Sequence, residues 1–147
     1  MARKTQTIVI ESEKDNRDSN KRFLITEMPV LKAERLAVKV GKIILTSLGE
    51  DFFYAMKQSL DANTFNSADL ANIGFDGLSK VPDEDIYDVM QELMECVRFC
   101  PDKTNPNTTR PIDMNADDIE EMSTALLLKR ASFTLTFSSF MGVLFRK

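Results

Sequence analysis

The chain has 147 residues, the length of one domain, and folding at this size buries roughly 70% of the surface an unfolded chain exposes, so no disulfide or metal staple is required. Hydrophobic residues at 43% and charged residues at 29% are ordinary globular values, which exclude wholesale disorder and fibrous repeats. The net charge of −4 is uneven: residues 1–49 carry 10 basic and 6 acidic side chains and residues 50–147 carry 9 and 17, a balance unlike the basic field of a nucleic-acid binder.

In chain order, Thr5 to Ile10 and Phe23 to Thr26 are β-prone runs separated by the polar stretch Glu11 to Asn20, which reads as a hairpin with a long mobile tip. Pro29 occupies a first helical position. Ala33, Leu36, Ala37, Val40, Ile43 and Ile44 then repeat at helical spacing, giving a first helix over about 29–46. Its remaining faces hold a basic stripe of Lys32, Arg35, Lys39 and Lys42 and a second apolar line of Leu31, Val38 and Leu45. Such a helix is either covered on both sides by its own domain or also docks a partner.

A second helix is expected from Asp51 to Leu60 and a weaker one from Ser67 to about Ile73, which Gly74 and Gly77 end. Pro82 with Asp83, Glu84 and Asp85 makes an acidic first turn suited to the positive end of a helix dipole. The helix that follows places Ile86, Val89, Met90, Leu93, Met94 and Val97 at core spacing, and Pro101 stops it. Val97 to Phe99 and Arg110 to Ile112 can alternatively pair as a short hairpin. Asn115 resembles an N-cap, with Asp117 and Asp118 in the first turn of a last helix.

The uncharged run Ala131 to Phe145, with Phe133, Phe137, Phe140 and Phe145, is the most telling segment, and it is too short to span a membrane as a helix. Read as a strand, Phe133 to Phe137 alternates. Read as a helix, which the unbroken pattern from Asn115 favours, Ile119, Met122, Leu126, Phe133, Phe137, Phe140 and Leu144 form one stripe. Leu128 and Leu135 point the other way, and exposed apolar surface is expected there first.

The expected architecture is α+β and mostly α in a single domain: an N-terminal β-hairpin over 1–28, a bundle of about four to five helices of which the middle ones span 29–100, a loop over 101–114 and a C-terminal helix over 115–147. A second short hairpin is allowed near 97–112.

Chemistry is scarce. With no histidine, Ser–His and Cys–His nucleophiles are unavailable, and Cys96 and Cys100 have no second ligand pair for zinc. Asp113, Asn115 and Asp117 open like a calcium loop, but Asp118 stands where glycine is needed and Thr124 where glutamate is needed. No glycine cluster can cradle a phosphate. No catalytic, cofactor or metal residues are assigned and no enzyme is expected. The residues after Met1 form no apolar leader, so a cytoplasmic location is expected.

The layout resembles that of the tail assembly chaperones of long-tailed bacteriophages. The resemblance is carried by the hairpin feeding Phe23 to Pro29 into Leu31-Lys-Ala-Glu-Arg-Leu-Ala-Val-Lys-Val-Gly-Lys, by a middle helix ending before a polar excursion, and by Asp117-Asp-Ile-Glu-Glu-Met leading into a Phe-rich closing helix. It implies a small, non-catalytic factor in the cytoplasm of the infected bacterium that keeps the tape-measure protein soluble and helps recruit tail-tube protein. No membrane, nucleic-acid or cofactor partner is expected. The candidate partner-binding residues are Leu31, Val38, Leu45, Leu128, Leu135, Phe140 and Phe145. The alternative is a virion subunit or a homo-oligomeric phage protein using the same apolar surfaces.

Overall fold

The computed structural model describes residues 2–43, 54, 82–113 and 115–144, with the side chains of 139–144 excepted. Of the expected second helix only Tyr54, which is helical, is described, and the segment from Ser67 to Ile73, Leu45 and Phe145 lie outside the described residues. The chain divides into two compact units, residues 1–33 with 90–147, and residues 34–89.

In the first unit, β1 (Thr5–Val9), β2 (Arg22–Thr26), β3 (Val97–Cys100) and β4 (Arg110–Pro111) form an antiparallel sheet in the order β1-β2-β3-β4. The sheet corrects the expected bundle of four to five helices. Among the described residues the helices are three: α1 over residues 30–43, α2 (Asp83–Met94) and α3 (Met122–Leu144). The α+β class stands, but the organising layer is the sheet. Two hairpins far apart in sequence meet through β2 and β3, with Phe23 opposite Phe99 and Ile25 opposite Val97. Spacing along the chain cannot reveal a long-range pairing of this kind.

The helix expected to run on to Val97 ends at Met94, and Val97 is a buried strand residue. A short turn at Glu95 and Cys96 exchanges the helical period for the period of a strand. Short β-branched and aromatic stretches next to a helix fit both patterns, and the pairing of Val97 with Ile25 decides between them.

The sheet's inner face carries Ile8, Phe23 and Phe99 in one row, with Ile25 and Val97 in the next. Phe23, Ile25, Val97, Ile10 and Leu128 of α3 form the buried core, against which Ile112, Ile119, Ala131 and Leu135 pack. The rings of Phe23 and Phe99 meet tilted at 5.4 Å, a favourable edge-biased geometry. Ser132 is buried on this face of α3 because its hydroxyl donates to the Leu128 carbonyl at 2.9 Å.

The tip between β1 and β2 is ordered rather than loose. Asn16 Oδ1 accepts from the Asp18 amide, Ser19 Oγ donates to the Asn16 and Glu13 carbonyls, and Asp15 and Asn20 adopt positive φ, which both residue types tolerate. The tip presents Asp18, fully buried, to the amides of Glu120 and Glu121 at 2.9 Å each. Those are unpaired donors at the start of α3. Lys21 ties the same place together, donating to Asp18, to the Asp117 carbonyl and to Glu120. Arg17 adds bonds to Glu121 and the Glu120 carbonyl.

Asn115 is therefore not the N-cap. Residues 115–118 are turn, α3 begins at Met122, and its free amides are capped by a side chain about a hundred residues earlier. Asp118 likewise does not serve the dipole. It is buried and takes a bidentate pair from Arg110 at 2.6 and 2.7 Å, while also accepting from the Asp113 amide. The Arg110 guanidinium lies 5.0 Å over the Phe99 ring, so one side chain links β4, the core and the approach to α3.

Burial alone pushes the Asp18 carboxyl up, but Lys21 and the two backbone amides overcome it and hold the group at about 2. The folded value lies below the ordinary 3.8, so this contribution is complete above the unfolded value and is lost as pH falls from about 4 through 2. Stability should drop by about 2 kcal/mol over that window from this group alone. Urea titrations across the window would measure the loss, and Asp18→Asn should remove its share of the slope, leaving that of Asp118 and Glu121, whose carboxyls Arg110 and Arg17 also hold below the usual range. Asp18→Ala, which orphans two amides and takes one of the three acceptors of Lys21, should cost about 3 kcal/mol at neutral pH.

Candidate functional site

α3 is apolar on two faces. The inner face, with Leu128, Ala131 and Leu135, packs on the sheet. The outer face presents Met122, Leu126 and Phe133 at helical spacing, with Leu127 to one side, and Met122 and Leu126 are 80% and 52% exposed. From Met122 to Leu144 there is no acidic side chain, and the only charges are Lys129 and Arg130. The outer surface is therefore apolar with a cationic border.

This inverts the expected orientation of the helix. The stripe of Met122, Leu126 and Phe133, expected in the core, faces out, while Leu128 is 0% exposed and Leu135 packs against the core. Leu128 and Leu135 are thus sheet-facing residues and not free docking surface. The inversion does not extend to Phe137, a member of the same expected stripe, which is buried with its ring 4.8 Å from that of Phe133. Ile119 belongs to the core, but it precedes the helix and so does not share its stripe. Two comparable apolar stripes make helical periodicity ambiguous about which one is inside. One signal does separate them: Arg130, four residues after Leu126 and three before Phe133, shares their face, and a cation there marks the solvent side.

α1 retains part of its expected second line. Leu31 and Val38 are 75% and 56% exposed, and Val30, which the spacing did not single out, is exposed beside Leu31 in sequence. Leu36 is buried on the opposite side of the helix. The basic stripe is not an open array, because Lys32 is paired with Glu95 and Lys39 with Asp88. Exposed pairs of this kind contribute little to stability, but they spend cations that a polyanion would need. Phe140 lies on α3 beyond the described side chains.

Both cysteines are free thiols, Cys96 in the turn after α2 and Cys100 at the end of β3. Burial pushes the Cys96 thiol up, the reverse of what activates a nucleophile. The Cys100 thiol is directed to the carbonyls of Asp102 and Asn105 in the loop between β3 and β4. Among the described residues no three His, Cys, Asp or Glu side chains gather as a metal site, and no helix is long and apolar enough to cross a membrane.

The family model described as phage tail assembly chaperone protein matches residues 19–145. No curated protein and no solved structure matches the chain.

The two faces of α3 should respond differently to substitution. Leu128→Ala should cost about 3 kcal/mol in a denaturant melt, as a core cavity does. The paired change Met122→Ser and Leu126→Ser should cost under about 1 kcal/mol while lowering the binding of a hydrophobic dye by the folded protein.

Proposed function

Because the chain belongs to the phage tail assembly chaperone family, we propose that it holds the tape-measure protein soluble by covering apolar helical segments of that protein until tail-tube subunits assemble around it. The observation that carries this reading is the row of Met122, Leu126 and Phe133 left in solvent on a helix whose other face is already packed. Full burial of each such side chain is worth about 1.5–3 kcal/mol, so a client helix laid along the row gains from several side chains at once. Val30, Leu31 and Val38 of α1 supply further apolar surface of the same kind.

The cations Lys129 and Arg130 border the row, so a client helix with acidic residues beside its apolar ones fits best. Methionine suits such a surface, since an unbranched, polarizable side chain adapts to more than one shape. Binding of this kind needs no catalytic group, and the chain acts as a non-enzymatic partner in the host cytoplasm before the tail is complete.

Co-expression with the tape-measure protein of the same phage tests the proposal. The native chain should move the tape-measure protein into the soluble fraction and co-elute with it on size exclusion, and the Met122→Ser, Leu126→Ser variant should lose most of that effect while remaining folded. An insoluble tape-measure protein and no complex with the native chain would discard the reading. Mass spectrometry of purified particles separates it from the virion-subunit alternative, since a chaperone leaves the finished tail and a subunit stays.

A further inference from the structure

The two edges of the sheet are unlike. β4 is two residues long and ends in Pro111, which has no N–H to offer, so that edge is blunted in the manner of natural sheets. β1 has none of the usual protection. It contains no charge, no proline and no glycine, it runs in unbroken one-to-one register with β2, and four of its five residues are exposed. Among the described residues no strand pairs with its other side.

Hydrogen bonding fixes which groups point outward. At the two ends of the β1–β2 ladder, the Glu27 amide donates to the Lys4 carbonyl and the Ile10 amide donates to the Lys21 carbonyl, each at 2.9 Å. Even-numbered positions therefore bond to β2. Because antiparallel pairing alternates, Thr5, Thr7 and Val9 direct their N–H and C=O groups to the open edge. The flanking charges are ordered along the strand, with Arg3 and Lys4 before it and Glu11 and Glu13 after it, and Arg3 and Glu11 fall on the odd-numbered, outward-bonding register.

We propose that β1 pairs with the β1 of a second copy of this chain, antiparallel about a two-fold axis at Thr7, so that the two sheets become one. In this register Thr7 faces the partner's Thr7 and Thr5 faces the partner's Val9, and all three outward residues exchange backbone bonds. Arg3 faces the partner's Glu11 twice by symmetry. A parallel alignment instead sets Arg3 beside Arg3 and Glu11 beside Glu11. Moving the antiparallel register by two residues leaves one of the three outward residues opposite a residue outside β1. The order of the charges flanking β1 thus selects a copy of itself, in one direction and one register. The pairing uses none of the apolar surface of α3, and β1 precedes the residues 19–145 matched by the family. A chain that dimerises but leaves the client insoluble therefore fails only the client-binding proposal.

Sedimentation equilibrium on the full chain tests the pairing. The native protein should be a dimer that dissociates on dilution. Thr7→Lys sets two ammonium groups opposite each other at the axis and should weaken association roughly tenfold or more, with an unchanged far-ultraviolet spectrum because Thr7 is exposed and bonds outward. Arg3→Glu and Glu11→Arg should each weaken the dimer, and the double exchange should restore it. A monomer at every concentration, a dimer indifferent to Thr7→Lys, or a double exchange that fails to rescue would each overturn the proposal. Loss of client binding with an unchanged oligomeric state in Thr7→Lys would overturn it too, by giving the edge to a client strand.

Discussion

The Asp18 carboxylate joins the two ends of the chain: it lies in the first hairpin and closes the N-terminus of the last helix through the amides of Glu120 and Glu121. A buried carboxylate is stable only where charge and hydrogen bonds both answer it, and Lys21 with the two amides supplies them. Once that bond set is made, the start of α3 is fixed over the sheet, and Leu128, Ala131 and Leu135 fall onto Phe23, Ile25 and Val97 as a consequence. The Arg110–Asp118 pair holds the approach to α3 from the other hairpin. The helix is thus set by two electrostatic clamps that belong to different hairpins.

The clamps also decide what α3 offers to a partner. A helix with two apolar stripes can be seated either way round by hydrophobic burial alone, since both orientations remove similar area from water. Small residues on the inner face, Ala131 and the back-bonded Ser132, let the helix approach the sheet. The bulky stripe of Met122, Leu126 and Phe133 is left outside. In the function proposed for this member of the tail assembly chaperone family, this is the face that would hold an apolar client while the chaperone's own core stays closed.

Much of the architecture could be read from residue order. The two β-prone runs near the N-terminus, the acidic start of α2, the helical character of the Phe-rich segment and the availability of a hairpin around 97–112 follow from local propensity, dipole complementarity and periodicity. That Leu31 and Val38 form a line distinct from the one through Leu36 was legible too, but spacing left open whether that line is covered, and the fold leaves both residues exposed. The sheet as an organising layer was not, since the pairing of β2 with β3 joins residues that local spacing never relates. Leu128 was misread for a different reason: periodicity identifies a stripe but carries no sign for inside and outside.

By itself, then, the sequence determined the first hairpin, the helical character of α2 and of the Phe-rich segment, the absence of histidine chemistry, the charges flanking β1 and the family to which the layout belongs. Tertiary structure alone decided that Val97 ends in a strand, that Asp118 answers Arg110 instead of a helix dipole, and that Leu128 rather than Leu126 lies in the core. The physical reason is common to all three. Local sequence sets the conformations a segment can adopt at little cost, whereas burial, ion pairing and strand register are settled only by what the rest of the chain brings into contact.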